Sequence, residues 1–120
     1  MAHILLLEDT KNMRDVISDA LRFHKHIVTL GYDGRDGLAY LGSEDPLPDL
    51  IITDLKMPHI DGLTFIRQVR QHPDWSAIKI IATSGIPSDT ELATDAGADS
   101  FIVKPFSHDE LETIIDHLLH

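Results

Sequence analysis

The chain has 120 residues, the size of one ordinary domain, and 42% of them are hydrophobic, which supports a packed core and excludes disorder. Cysteine is absent, so disulfides and thiolate metal sites are excluded. The net charge of −10 disfavours direct binding to nucleic acid, which needs clustered Lys and Arg. The apolar run at residues 4–7 is too short for a signal peptide or a membrane span, so we expect a soluble, cytoplasmic protein without membrane contact.

Apolar segments of strand length alternate with amphipathic stretches of helix length along the whole chain. The predicted strands cover residues 3–7, 26–30, 49–53, 79–83 and 100–103, and the predicted helices cover about 11–24, 34–42, 63–72, 88–96 and 107–119. We expect Gly97 to end the fourth helix, and Ser107 with Glu110 to form a capping box on the fifth. Five strand–helix units predict one α/β domain over residues 1–120, an open doubly wound parallel sheet with helices on both faces.

Charged residues stand at the carboxyl ends of three predicted strands. Glu8 and Asp9 follow the first strand, Asp54 follows the third, and Lys104 follows the fifth. Parallel strands open their carboxyl ends on one edge of the sheet, where ligands bind in such folds, so these side chains should meet there. After Lys79 the only basic residue is Lys104, which stands among eight acidic side chains, so it is there either by chance or for a specific task.

This combination of side chains suits a divalent cation and a phosphoryl group. Carboxylate oxygens are ligands for Mg²⁺, and a carboxylate such as Asp54 can also attack phosphorus to form an acyl phosphate. Catalysis of phosphoryl transfer is mainly positioning and charge neutralisation, to which the Lys104 ammonium would contribute. Thr83 and Ser84, at the end of the fourth predicted strand, offer hydroxyl donors. Gly85 follows them and leaves room for a phosphate.

Each of these features alone has an ordinary structural explanation. An acidic pair after a strand often caps a helix, a lone aspartate often caps a turn, Lys-Pro is common in loops, and Phe101 belongs by default to the core. The eight histidines are scattered and never show the spacing of an H-E-x-x-H zinc motif, so we interpret them as surface or hydrogen-bonded residues. The joint occurrence of the charges at one end of different strands favours a functional site.

With those residues in place, the chain resembles the receiver domain of the two-component response-regulator family over about residues 3–119. The matching segments are residues 4–9, 49–62, 80–85 and 97–106. The resemblance implies a flavodoxin-like sheet with strand order 2-1-3-4-5, in which the Lys104–Pro105 peptide bond is often cis.

The resemblance also implies a role for each site residue. The site that it implies consists of a phospho-acceptor, Asp54; an acidic pair that holds Mg²⁺ or Mn²⁺, Glu8 and Asp9; a main-chain metal ligand, the carbonyl of Lys56; a switch hydroxyl, Ser84; the small residue beside the phosphate, Gly85; an aromatic switch, Phe101; and an invariant lysine, Lys104. No organic cofactor is predicted. Thr83 stays an alternative to Ser84, which we favour because the small residue follows it. The segment from Ser84 to Gly97 is about two residues shorter than usual, and the Lys56 side chain occupies a position that tunes phosphate lifetime.

The function implied is a phosphorylation-activated switch. A histidine kinase or a histidine phosphotransfer protein would supply the phosphoryl group, and the switch would control a downstream protein or a linked effector domain. The domain would catalyse its own phosphorylation and dephosphorylation without being a turnover enzyme in the usual sense. An aspartyl-phosphate phosphohydrolase and an intermediate phosphorelay carrier are the alternatives. Aspartyl-phosphate phosphohydrolases usually have a second acid two residues after the nucleophile. Lys56 stands at that position here, which argues against a phosphohydrolase. A flavodoxin-like cofactor carrier is disfavoured because the acidic Glu8–Asp9 segment would repel a phosphate.

Overall fold

The computed structural model describes all 120 residues and contains five strands and five helices in strict alternation. The strands are β1 (His3–Leu7), β2 (Ile27–Gly31), β3 (Leu50–Asp54), β4 (Lys79–Ser84) and β5 (Ser100–Val103), and the helices are α1 (Lys11–Phe23), α2 (Gly34–Leu41), α3 (Gly62–Gln71), α4 (Asp89–Ala96) and α5 (His108–Leu119). Every predicted element is present, and its bounds lie within about one residue of the prediction. One shift concerns the site, because Asp54 is the last residue of β3 rather than the residue after it.

The strands form one parallel sheet in the order β2-β1-β3-β4-β5, which confirms the order that the resemblance implied. The chain leaves β1 toward β2 on one side and later returns to pair β3 on the other side of β1. The carboxyl ends of β1 and β3 therefore flank the point where strand order reverses, which is the usual ligand site of such sheets. The Lys104–Pro105 bond is cis, also as the resemblance implied.

Helices cover both faces of the sheet, as the continuous apolar strands predicted. On one face, side chains of α2, α3 and α4 pack with alternate strand residues around the fully buried Phe65. On the other face, α1 and α5 pack against the remaining strand residues, with Leu21 and Ile115 at the centre. All five residues of β3 are buried, and Asp54 is the last of them, so the strand that carries its carboxylate is packed on both faces.

The ends of the helices confirm the two predicted caps. Gly97 ends α4 with a φ of 120°, a backbone conformation that favours glycine. Ser107 and Glu110 form the capping box of α5, in which each side chain accepts a hydrogen bond from the main-chain N–H of the other residue. None of the five helices combines the length and the apolar character needed to cross a bilayer.

His26 shows how a histidine is accommodated in this fold. His26 lies at the opposite end of the sheet from the acidic cluster, and its ring is 6% exposed. Its Nδ1 accepts a hydrogen bond from the Ala2 main-chain N–H at 3.1 Å, and its Nε2 lies 2.7 Å from a carboxylate oxygen of Glu112. Because Nδ1 accepts, Nε2 carries the proton and donates to Glu112. His26 is therefore a hydrogen-bonded structural residue, as predicted for the histidines as a group.

Asp33 is a buried helix cap that sequence analysis did not single out. Its side chain is 2% exposed, and one of its oxygens accepts the Asp36 main-chain N–H at 3.0 Å at the start of α2. Burial would raise the pKa of this carboxyl, but the Asp36 hydrogen bond and the Arg35 charge outweigh burial and lower the pKa. The Asp33 carboxyl therefore stays ionised in the folded protein at pH values where the same carboxyl is already protonated in the unfolded chain.

Replacement of Asp33 by alanine should lower the free energy of unfolding by about 1–2 kcal/mol at neutral pH, because the cap is lost. The stabilisation by Asp33 is present above the pKa of the unfolded chain and is lost as the pH falls through the lowered pKa of the folded state. Urea unfolding should thus show a difference from wild type that narrows on acidification. Asp19→Ala, which alters an exposed acid of α1, is the control and should change little. A difference that stays constant with pH would show that the charge of Asp33 is irrelevant.

Candidate functional site

Three carboxylates meet at the carboxyl edge of the sheet. Glu8 and Asp9 directly follow β1, and Asp54 ends the adjacent strand β3. An oxygen from each side chain lies within 4.8 Å of the others. The side chain of Glu8 is 2% exposed and that of Asp54 is 10% exposed, whereas Asp9 is half-buried. The predicted convergence of these acids is therefore found, and a nearby cation would offset the repulsion between their charges.

Lys104 supplies part of that compensation. It follows β5, and its side chain crosses the end of β4 to place Nζ 2.5 Å from Glu8 Oε1 and 2.7 Å from Asp54 Oδ2. Burial would lower the pKa of this ammonium, but the hydrogen bonds and charges of Asp54 and Glu8 outweigh burial, so its pKa is raised. Lys104 is therefore a fixed positive charge at neutral pH.

The surrounding main chain orients the two buried carboxylates. Glu8 Oε2 accepts the Thr10 N–H at 3.1 Å, and Asp54 Oδ1 accepts the Lys56 N–H at 3.2 Å. Burial raises the pKa of Glu8, and the hydrogen bonds from Lys104 and Thr10 offset this only in part. Each buried carboxylate therefore has one oxygen held by the main chain and the other held by Lys104.

The site has unused oxygen atoms that fit a hard divalent cation. The Asp9 carboxylate accepts no hydrogen bond from the protein, and the Lys56 carbonyl accepts none either. The free Asp9 carboxylate and the Lys56 carbonyl belong to the oxygen ligand types that Mg²⁺ takes, together with waters. The acid cluster also carries more negative charge than one lysine neutralises. The oxygen donors of this site thus fit Mg²⁺ or Mn²⁺.

The two hydroxyl candidates at the end of β4 have different partners. Thr83 is 2% exposed, and its hydroxyl lies 3.5 Å from the Thr53 carbonyl, a long contact for a hydroxyl donor. The Ser84 hydroxyl lies 2.7 Å from a carboxylate oxygen of Asp89 and accepts the Ile86 N–H at 3.0 Å. Ser84 ends the strand, so its hydroxyl lies nearer the open edge of the sheet than that of Thr83.

Gly85 and Phe101 complete the predicted set. A Cβ built on Gly85 would meet no atom within 4 Å, so open space adjoins this residue. Phe101 is half-buried in β5, lies opposite Ala82 of β4, and packs against the core cluster under α2, α3 and α4. Its ring thus lies between the core and solvent rather than fully within the core.

Three further contributions to the site were not predicted. Arg14 donates to the main-chain carbonyl of Glu8 at 2.9 Å and ties α1 to the acidic turn. Gly62 packs directly on the Asp54 main chain, where a Cβ would lie 2.2 Å from the carbonyl oxygen. Asp89 engages the Ser84 hydroxyl. The matching segment 49–62 included Gly62, but nothing in the sequence locates the two side-chain contacts.

Comparison with known proteins assigns this arrangement to a family. The sequence matches the response regulator receiver domain over residues 4–116. The chain belongs to the response regulator receiver domain family. It is 34% identical over 108 residues to the response regulator MprA of Mycolicibacterium vanbaalenii, which covers 90% of this chain and 46% of MprA. This receiver domain therefore spans about half the length of the curated relatives it matches.

Solved structures agree with the fold. A putative response regulator from Chloroflexus aurantiacus superposes with a TM-score of 0.93 at 28% identity, covering 98% of this chain and 97% of the other. The receiver domain of the sensor histidine kinase PA1611 from Pseudomonas aeruginosa gives a TM-score of 0.89 at 30% identity, with coverage of 98% and 97%. That relative has a magnesium ion coordinated in its active site cleft.

Proposed function

We propose that this receiver domain is a phosphorylation-activated signalling switch whose acceptor is Asp54. One observation carries the proposal: the Asp54 carboxylate ends the central strand beside a fixed ammonium, Lys104, and beside two further carboxylates, Glu8 and Asp9. This environment places a nucleophilic oxygen next to groups that bind the charges of a phosphoryl donor. Residues 1–120 act as one receiver domain in the cytoplasm.

The chemical step is an in-line transfer to the carboxylate. An ionised oxygen of Asp54 attacks phosphorus of a phosphohistidine on a histidine kinase or phosphotransfer protein, and an O–P bond forms. The P–N bond breaks, and its electron pair returns to the imidazole nitrogen. Lys104 is positioned to neutralise negative charge that develops on the transferred group. In a separate hydrolytic step, water attacks phosphorus of the acyl phosphate, the O–P bond to Asp54 breaks, and inorganic phosphate leaves, so the carboxylate of Asp54 is restored.

The acidic residues supply the remaining charge balance. Glu8, Asp9, Asp54 and the Lys56 carbonyl would hold Mg²⁺ or Mn²⁺, which would offset charge on the phosphoryl oxygens. Support comes from the free Asp9 carboxylate and from the magnesium ion in the PA1611 receiver domain. The metal requirement of this chain is testable by chelation.

The phosphoryl group would then shift a conformational equilibrium. Lys104 and Ser84 would bind its oxygens, while Phe101, which lies at the border between core and solvent, would change its packing. Phosphorylation would favour the active conformation, because only that conformation gains contacts between these residues and the phosphoryl group. Its readout is a downstream protein or a covalently linked effector domain, in keeping with relatives about twice as long as this chain.

A second role, as an intermediate phosphorelay carrier, uses the same chemistry. It draws support from similarity to receiver domains of histidine kinases, including that of PA1611. A turnover phosphohydrolase is less well supported, because the exposed Lys56 occupies the position where such enzymes usually place a second acid.

Incubation with acetyl phosphate and Mg²⁺ should add one phosphoryl group to the intact protein, measured by mass spectrometry. Asp54→Asn should abolish the gain, since an amide cannot form the acyl phosphate. EDTA should abolish the gain, and Asp9→Ala should reduce the rate about tenfold or more. Asp19→Ala, which removes an exposed acid outside the site, should be labelled like wild type. Phosphate mapped to a histidine or serine would contradict the assignment.

A further inference from the structure

The Ser84 hydroxyl is already engaged in the unphosphorylated protein. Because a carboxylate only accepts, the 2.7 Å contact with Asp89 Oδ2 is a hydrogen bond that Ser84 donates. The Ser84 hydroxyl oxygen in turn accepts the Ile86 N–H at 3.0 Å, and Ser84 is 2% exposed. A serine hydroxyl has one proton, so it can donate to one acceptor at a time. A phosphoryl oxygen on Asp54 and the carboxylate of Asp89 must therefore compete for that proton.

The same contact anchors the start of α4. Asp89 is the first residue of this helix, where a carboxylate is also favoured by the helix dipole. The preceding residue, Ser88, makes no side-chain capping bond. On its inner face α4 buries only the small side chains of Ala93 and Ala96. The bond from Ser84 to Asp89 is thus a charge-assisted side-chain link between the end of β4 and the first turn of a lightly anchored helix.

We propose that Asp89 is a positioning residue that holds the Ser84 hydroxyl in the unphosphorylated state and that releases the first turn of α4 when phosphate captures this hydroxyl. The inference rests on the proposed function and adds a specific competitor to it. Asp89 opposes phosphorylation because its carboxylate accepts the hydrogen bond that the Ser84 hydroxyl would otherwise donate to the phosphoryl group. When the hydroxyl moves to the phosphoryl group, Asp89, five residues further along the chain, loses the hydrogen bond that holds the first turn of α4.

A double-mutant cycle tests the competition. Asp89→Ala should tighten the apparent affinity for beryllofluoride with Mg²⁺, a mimic of the phosphoryl group, by about tenfold, because the hydroxyl is then free. In a Ser84→Ala background the same Asp89→Ala change should have no effect. Asp89→Asn, which keeps an acceptor but loses its charge, should lie between Asp89→Ala and wild type.

The control variant separates the hydrogen bond from simple charge repulsion. Glu91→Ala removes an acid from the same turn of α4 without touching Ser84, and it should leave the affinity unchanged. An equal gain in Glu91→Ala, or a gain from Asp89→Ala that persists without the Ser84 hydroxyl, would show general repulsion of the anion and overturn the proposal.

Hydrogen exchange of the free protein provides a readout that needs no phosphate or metal. In Asp89→Ala the Ile86 amide should exchange several-fold faster, because the Ser84 oxygen that accepts its hydrogen bond is no longer fixed. Unchanged exchange would overturn the proposal. If wild type takes up phosphate on Asp54 but Asp89→Ala behaves like wild type, the switch function stands and this inference fails. If wild type takes up no phosphate, both fail.

Discussion

Replacement of Gly62 by alanine is expected to slow phosphorylation of Asp54 by roughly two orders of magnitude and to lower the free energy of unfolding by about 2–4 kcal/mol. A Cβ on this residue would lie 2.2 Å from the Asp54 carbonyl oxygen and 2.6 Å from the Leu55 Cα. These are main-chain atoms, which cannot rotate away as the tip of a flexible side chain can. Either the end of β3 or the first turn of α3 must therefore move, and the Asp54 carboxylate moves with its strand.

The Gly62 main chain leaves little room for a compensating shift. Its N–H donates to the Leu55 carbonyl at 2.9 Å, and the neighbouring Asp61 caps α3 through the Thr64 N–H at 2.8 Å. A displacement that relieves the clash would weaken these hydrogen bonds. In the proposed reaction the Asp54 carboxylate oxygen must lie close to Lys104, so a shift of even about 1 Å can cost roughly two orders of magnitude in rate.

Gly42→Ala is the matched control for this prediction. A Cβ on Gly42, at the end of α2, would meet its nearest atom, the Leu38 carbonyl oxygen, at an ordinary 3.4 Å. We expect a change in stability within about 0.5 kcal/mol and normal labelling by acetyl phosphate. Urea unfolding and intact mass measure both quantities. A Gly62→Ala protein with wild-type stability and full phosphorylation would show that the close approach has no consequence.

Most of the fold was predictable because periodicity and element length suffice for alternating strands and helices. The strand β3 illustrates this, since its continuous apolar run marks burial on both faces. Strand order was different, because nothing in composition or periodicity fixes which strands are neighbours. The order came from the resemblance to a family, which the structure and the family match then confirmed.

The convergence of Glu8, Asp9, Asp54 and Lys104 was predictable from one physical rule, that parallel strands end on a common edge. The contacts among these residues were not, because they depend on side-chain conformation. The bond between Ser84 and Asp89 depends on the tight turn between β4 and α4. The sequence likewise shows a glycine at position 62 but not the main chain that packs against it.

Lys104→Ala is expected to fold but to lose about 3 kcal/mol of stability in the presence of a chelator, because it leaves two buried carboxylates without their counter-charge. The ammonium lies within 2.7 Å of both Glu8 and Asp54, and these side chains are 2% and 10% exposed. Because the pKa of Lys104 is raised, its stabilisation is fully present at neutral pH and is lost only as the pH rises through that raised pKa. Chemical unfolding at neutral pH therefore measures the whole effect.

Mg²⁺ should stabilise wild type and Lys104→Ala, and it should stabilise the variant more, because the cation enters a site with greater net negative charge.

In Lys104→Ala, phosphorylation should fail to alter hydrogen exchange in α4, since the ammonium that would contact the phosphoryl group is missing. Lys104→Arg should not restore this response, because a planar guanidinium does not replace a compact ammonium. Lys79→Ala removes an exposed lysine at the start of β4 and should match wild type. A Lys104→Ala protein that is as stable as wild type in chelator would show that Glu8 and Asp54 do not depend on this charge.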